Sequence, residues 1–311
     1  MAKNKPTKQH YIPQCYLREF TDKKTASKKE PIVWVFDKDG KNKRKDKVKN
    51  VLASNDLYTL KFKGQKSYVI EETLANLEGR YAQVFREKIK NKLPLNEEEH
   101  IVLCAFVCAM LQRTLLQKDN MERFMDELIE HSEALERAHD AEHEQSQEIR
   151  RQKENIHKLS VVDLLPDITK LLIQMNIAFL CAKQGAKFIT SDNPCYLFNP
   201  DLQWQRFYGP GLAQKNVEVS FPLSPEIKLC MSWSNLRGYI FLEKDRVEEA
   251  NRMTVGHCYK YIISNSRRTK RMWFRNYPIS IIFILKIIRN KLSMLIDEKK
   301  YLHGFRNVRK K

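Results

Sequence analysis

Asn96-Glu97-Glu98-Glu99-His100-Ile101-Val102-Leu103-Cys104-Ala105-Phe106-Val107-Cys108-Ala109-Met110-Leu111 reads as a helix that opens with its own cap and is then apolar almost all round. The Asn96 side chain suits the backbone N–H three residues on, and Glu99 can reach back to the Asn96 N–H, a reciprocal pair that marks a helix start. Beyond it Ile101, Val102, Leu103, Phe106, Val107, Met110 and Leu111 leave no polar stripe. A helix over 97–117 therefore belongs in the core. Cys104 and Cys108, four apart, share a face and pack as small hydrophobes.

The flanks complete the pattern. Upstream, Ile70, Leu74, Leu77, Tyr81, Val84 and Ile89 recur at three- and four-residue spacing, which predicts an amphipathic helix over 69–93 ended by Pro94. Downstream, 119–158 is polar and rich in Glu, Gln and His, one long helix or two, and 159–167 with Pro166 reads as a connector. Short β-branched and aromatic runs predict strands at 32–36, 57–62, 177–182, 188–190, 217–220 and 227–233. The lysine-rich stretch 41–50 reads as a charged loop, and 247–263 as a helix. The expected fold class is α+β, a helical middle with a mainly antiparallel sheet drawn from the N-terminal and C-terminal thirds. Residues 1–265 form one mixed domain in this reading. Residues 266–311 are a basic, helical C-terminal extension, amphipathic through Ile281, Leu285, Ile288 and Leu292.

Charge is distributed unevenly over the 311 residues, whose formal net is +18. Residues 1–66 hold 18 Lys and Arg against 7 Asp and Glu, a net of +11, and residues 266–311 hold 14 against 2, a net of +12. The stretch 67–265 is left at −5. Clustered positive charge attracts polyanions and releases their counterions, so nucleic acid is the expected partner. The apolar run Ile279 to Leu285, like the longer Ile101 to Leu111, is far short of the roughly 20 residues needed to cross a bilayer. Neither a membrane partner nor a secretory leader is expected, and the expected location is the cytoplasm. Seven cysteines without a C-x-x-C pair argue against a disulfide framework or structural zinc. His139 and His143, four apart in a polar acidic stretch, read as a solvated face. The P-loop, Rossmann, nucleophile-elbow and H-E-x-x-H patterns are missing, which disfavours nucleotide-driven motors, dinucleotide enzymes and common serine hydrolases.

Two distant runs carry the candidate chemistry: Gln9-His10-Tyr11-Ile12-Pro13-Gln14 and Ser191-Asp192-Asn193-Pro194. Each sets hydrogen-bonding side chains around a proline that stiffens the backbone. His10 titrates near neutrality and can move a proton; the competing role is a hydrogen bond that pins the N-terminal segment. Glu71 and Glu78, seven apart, can share one face of their helix, although acids near a helix start also simply suit its dipole. Arg113, with Gln112, ends the apolar helix and suits a phosphate or carboxylate. Asp192 sits at a strand end, where a sheet fixes a carboxylate and a loop exposes it, or where it caps its own turn. His10, Glu71, Arg113 and Asp192 are thus the catalytic candidates. Gln9, Tyr11, Gln14, Gln112, Ser191 and Asn193 are the substrate-binding ones, and Asp192, Glu71 and Glu78 the candidate ligands of a divalent cation, Mg²⁺ or Mn²⁺.

The run from Gln9 to Phe20 resembles the opening "HYVPQFYLRNF" of the bacterial family catalogued as domain of unknown function 4238. Ile32 to Asp37, Tyr58, Ile70-Glu71, Leu77-Glu78, Gln112-Arg113-Thr114, Thr190 to Pro194, Phe221 to Pro225 and Glu249-Ala250-Asn251 follow in the family's order. The resemblance covers about residues 8–265. Cys15 stands where an aromatic is usual, and Glu19 where Asn is usual. Such proteins look like accessory genes near mobile elements, so the resemblance implies phage defence or toxin action, with a protein partner in a defence system. It implies no reaction.

The expected function is a nucleic-acid-processing enzyme, an RNA or DNA phosphodiesterase. His10 serves as general acid or base, Asp192 with Glu71 or Glu78 holds a cation or orients water, and Arg113 meets phosphate charge. One alternative is a non-catalytic nucleic-acid- or protein-binding module in which the same residues are structural pins. Another is an enzyme acting on a nucleotide or other small anion, which calls for a deep pocket. The sequence assigns no oligomeric state.

Overall fold

The computed structural model describes residues 8–62, 65–139, 144–203 and 209–274. The basic arm before Lys8, His143 and the predicted helical extension beyond Phe274 lie outside the described residues. The chain divides into two compact units, Met1–Trp273 and Phe274–Lys311, and the first carries everything below.

The fold is α+β. Its helices are α1 (Gln14–Leu17), α2 (Val69–Val84), α3 (Glu97–Gln112), α4 (Leu115–Ala138), α5 (Glu144–Asp163), α6 (Leu165–Ile173) and α7 (Lys244–His257). The strands are β1 (Lys8–His10), β2 (Ile32–Asp37), β3 (Lys43–Lys47), β4 (Ala53–Asn55), β5 (Leu60–Phe62), β6 (Gln65–Ser67), β7 (Asn176–Ala182), β8 (Thr190–Ser191), β9 (Tyr196–Phe198), β10 (Glu218–Pro222), β11 (Ile227–Ser232), β12 (Gly238–Leu242) and β13 (Tyr261–Ser264). A five-stranded sheet runs β12-β7-β11-β10-β9, and a four-stranded sheet runs β3-β2-β13-β8. In these sheets only β12 and β7 pair in parallel. Two small ladders, β1-β4 and β5-β6, complete the described strands.

Helix α3 is the hub. Asn96 Oδ1 accepts from Glu99 N and Glu99 Oε2 accepts from Asn96 N, both at 2.8 Å. Val102 through Met110 are buried apart from half-buried Ala105. Phe106 stacks on Tyr81 of α2 with ring centroids 3.6 Å apart and meets Phe221 of β10. Phe221 in turn stacks on Tyr16 of α1. The Tyr16 hydroxyl donates to the Pro222 carbonyl at 2.7 Å and lies 2.5 Å from Thr190 Oγ1. One aromatic column therefore joins the N-terminal motif, the helical layer and both large sheets.

The structure corrects several boundaries. The helix expected over 97–117 stops at Gln112; Thr114 caps a separate α4, accepting from Gln117 N, and the two axes diverge by 57°. The predicted connector 159–167 instead holds the end of α5 and the start of α6, where Pro166 occupies the first turn and needs no N–H partner. The charged loop 41–50 contains β3, an edge strand whose exposed lysines and arginine blunt further pairing. The helix expected over 247–263 ends at His257, and Tyr261–Ser264 forms the strand β13 between β2 and β8. No single described helix is long and apolar enough to cross a membrane.

Candidate functional site

The N-terminal motif enters on β1, which pairs with β4. Leu52, with φ at +55°, occupies the left-handed region that side chains rarely adopt. Its carbonyl accepts from both Tyr11 N and Ile12 N at 3.0 and 3.4 Å. This turns the chain just after His10.

Around that turn, residues from β1, α2 and the end of α3 converge on Arg113, which is only 2% exposed. Its Nη1 donates to Glu78 Oε1 at 2.7 Å, and its Nη2 to the His10 carbonyl at 2.5 Å. The guanidinium lies 5.5 Å from the Tyr58 ring centre, and Tyr58 Oη donates to the Arg113 carbonyl at 2.8 Å. Arg113 Nε and His10 Nε2 are buried and have no hydrogen-bond partner among the described residues. Burial pushes the His10 imidazole below its ordinary value, and the Arg113 charge adds to this. A hydrogen bond with the Val48 backbone and the Glu78 charge oppose it. Burial pushes the Glu71 carboxyl up, and Arg113 pulls against it. The imidazole, pushed down, and the Glu71 carboxyl, pushed up, both feel the charges of Arg113 and Glu78.

Of the substrate-binding candidates, Gln9 serves the fold. Gln9 is buried; its Oε1 accepts from Tyr58 N at 2.5 Å and its Nε2 donates to Thr59 Oγ1 at 3.0 Å. Gln14 is half-buried at the start of α1. Gln112 Oε1 is buried without a partner among the described residues, while its carbonyl accepts from His157 Nε2. Tyr11 is buried, and its hydroxyl is pushed far up by burial and by the nearby charge of Asp192. Tyr11, in the first motif, therefore feels the charge of the second.

The Asp192 loop is committed to architecture. At 3% exposure its carboxylate accepts from Tyr259 N, Lys260 N and Tyr261 N at 2.9, 2.7 and 3.0 Å, and its own N–H donates to the Tyr261 carbonyl. Burial raises its pKa, and the three backbone donors pull it back. Ser191 is buried, its Oγ accepting from Asn193 N, and Asn193 Nδ2 donates to the His257 carbonyl at 2.8 Å. The role expected of Asp192, holding a cation or activating water, is therefore corrected to that of a splint. It locks β13 beside β8, while Asn193 holds the carbonyl of His257 at the end of α7. The substrate-binding roles expected of Gln9, Ser191 and Asn193 meet the same objection, because their polar atoms already have backbone or side-chain partners. Among the described residues no group of three or more His, Cys, Asp and Glu is arranged to hold a metal. Asp192, one of the three carboxylates expected to hold Mg²⁺ or Mn²⁺, has both oxygens taken by backbone N–H groups.

One functional-looking feature escaped the sequence reading. Lys228, the second residue of β11, is 2% exposed, and its Nζ donates to Tyr196 Oη at 3.0 Å. The Tyr196 ring stacks on His257 at 4.0 Å, nearly parallel. The signal was the lone lysine in the otherwise apolar run Ile227-Lys228-Leu229-Cys230-Met231. Elsewhere a cleft of about 540 Å³ opens between the α2–α3 connection and the β7–β12 edge, lined in part by Leu95, His100, Phe179, Arg237 and Tyr239.

A family model described as "Protein of unknown function (DUF4238)" matches residues 8–268. No curated protein and no solved structure matches the chain.

Proposed function

Because the chain belongs to the DUF4238 family, whose description assigns no reaction, we propose one from the site: a phosphodiesterase that processes RNA or DNA, with His10 and Glu71 as its proton-transfer groups. The observation that carries this reading is the convergence of His10, Glu71, Glu78 and Arg113 from three separate segments, with the histidine pushed down and Glu71 pushed up. Opposed environments of this kind are how a site keeps one group as base and another as acid near neutral pH. His10 takes the proton from an attacking water or ribose hydroxyl, and Glu71 returns one to the leaving oxygen. Arg113 is a positioning residue, since its fork already grips Glu78 and the His10 backbone. The exposed cations of the β2–β3 region, Lys41, Lys43, Arg44, Lys45, Lys47 and Lys49, supply a surface for the polyanion. A place in phage defence or toxin action, with a partner protein, fits an enzyme of this kind.

The test is purified protein incubated with single- and double-stranded RNA and DNA, with and without Mg²⁺ or Mn²⁺. His10→Ala and Glu71→Gln should each lower cleavage by about 100-fold or more, the usual scale for a general acid or base, while thermal unfolding stays close to wild type. Cleavage that survives both substitutions would sink the reading. A second reading, a binding module without chemistry, is favoured by the three backbone donors on Asp192 and by the ion pair that occupies Arg113 and Glu78. It predicts salt-sensitive binding and no turnover in any arm.

A further inference from the structure

Strand β11 lies inside the five-stranded sheet, between β7 and β10. Its register sets Lys228 opposite Pro222 and Leu180, and Cys230 opposite Ser220 and Ala178; Ser220 in turn faces Tyr196 of β9. Side chains alternate between faces along a strand. Lys228, Cys230, Ser220, Glu218 and Tyr196 therefore share one face, opposite the face on which Phe221, Leu229 and Met231 meet the helical core. Apolar residues of α7 cover another part of this face through Leu180, Ala182 and Leu242. Exposure rises along β10 on this face, from half-buried Ser220 to exposed Glu218, while Lys228 itself is buried.

Lys228 is under-partnered for a buried cation. An ammonium has three donors, and among the described residues Tyr196 Oη is the one hydrogen-bond partner of Nζ; the Glu218 carboxylate on the same face feels the Lys228 charge but makes no ion pair with it. Burying an ammonium costs several kcal/mol unless a counterion compensates, and a methionine would fill the same volume without that cost. The neighbours are arranged as well. His257 Nδ1 lies 2.9 Å from the Met253 carbonyl, which can only accept, so the proton sits on Nδ1. Nε2 is then an acceptor for the Gln203 amide at 3.5 Å. The imidazole thus stays neutral against the Tyr196 ring, and Asn193 of the Ser-Asp-Asn-Pro loop fixes the backbone of His257. Burial, chiefly, and the Lys228 charge hold that imidazole low.

We propose that this face is a binding site for a small oxyanion, a phosphate or carboxylate group, whose negative charge meets Lys228 Nζ and whose oxygens accept from Lys228 and the Tyr196 hydroxyl. Ser220 stands on the same face as a further donor. The site is separate from the His10 centre, and its fate does not depend on that of the phosphodiesterase reading.

The test is thermal unfolding of the full chain at constant ionic strength, titrated in separate arms with inorganic phosphate, acetate and chloride. Saturating phosphate or acetate should raise Tm by about 2–4 °C over chloride, and the arm that responds identifies the group. Lys228→Met should abolish the rise and, with no anion present, melt at or above the wild-type temperature. Tyr196→Phe keeps the stack on His257 and should weaken the response several-fold. Identical behaviour of wild type and Lys228→Met in all three arms would overturn the proposal, as would a Lys228→Met protein that melts well below wild type and still responds. If Lys228→Met does not fold, Tyr196→Phe decides: an unchanged anion response rules the site out.

Discussion

Arg113 and Lys228 are the two cations most completely buried in the described chain, and they are handled in opposite ways. Arg113 has a carboxylate, a backbone carbonyl and an aromatic ring around its guanidinium. Lys228 has a phenol. Desolvation is costly for both, but only Arg113 has a carboxylate in direct contact; the Glu218 carboxylate feels the Lys228 charge without forming an ion pair with it. A buried cation with its counterion ties segments together; one without leaves part of its desolvation unbalanced, which is the mark of a group held ready for something else. The planar fork suits the first task, because it grips two partners at once from β1 and α2, while a point charge suits the second.

The largest expected effect lies on the Arg113 side. Arg113→Met leaves Glu78 and the His10 carbonyl without their donors and should destabilise by about 3–5 kcal/mol in urea unfolding. Arg113→Lys keeps the charge without the fork and should fall in between. Lys228→Met should move stability the other way. If both methionine variants lose stability equally, the contrast between a staple and a waiting group collapses.

The next effect sharpens the same contrast with an anion. Asp192 accepts from three consecutive backbone N–H groups, so Asp192→Ala strands buried donors at the start of β13. A loss of about 3 kcal/mol is expected, read by the midpoint of chemical unfolding. Asp192→Asn retains one acceptor oxygen but turns an amide donor toward N–H groups, so it should recover only part of this. Neither substitution should change proton-transfer chemistry except through folding. A stable Asp192→Asn protein with lost activity would return Asp192 to the catalytic list.

Much of this was legible in the sequence, and the reasons are local. The capping box at Asn96 and Glu99 and the unbroken apolar face of α3 are short-range patterns, and both appear as read. The family motifs located the segments that meet, since β1, α2 and the end of α3 do converge at Arg113. What the sequence did not show was which polar atoms are already satisfied. Asp192 looks like an exposed strand-end acid until β13 is in place, and β13 was hidden because Cys258-Tyr259-Lys260-Tyr261-Ile262-Ile263 continues a helical apolar spacing from α7. Edge strand β3 was hidden for a different reason. Its Lys-Arg-Lys-Asp-Lys composition reads as loop, and only pairing with β2 makes it a strand. Lys228 was visible as an oddity in an apolar run, but its isolation depends on cross-strand neighbours from β9 and β10 that no single segment reveals.

The smallest expected effect concerns the histidine beside each cation. The His10 carbonyl binds Arg113, and the His257 ring stacks on the tyrosine that binds Lys228. Both imidazoles are pushed below their ordinary value, by burial first. The unfolded chain therefore takes up protons near pH 6.5 that the folded chain refuses. Their contribution to stability is complete above about pH 6.5 and is lost as pH falls below it, at up to about 1.4 kcal/mol per pH unit for each histidine. Glu71 and Asp192, pushed up by burial, act with the opposite sign: the fold holds their protons more tightly, so their contribution grows as pH falls toward about 4. Urea midpoints measured from pH 8 to pH 5 for wild type, His10→Gln and His257→Gln separate these contributions, because each substitution deletes one histidine and leaves the carboxyls. Each variant should show a shallower acid decline than wild type. Bound phosphate or acetate should flatten the decline for His10→Gln more than for His257→Gln, because in His10→Gln the intact His257 still lies beside the filled Lys228 site. Equal flattening in the two variants would mean that the anion acts on the whole surface and not at Lys228.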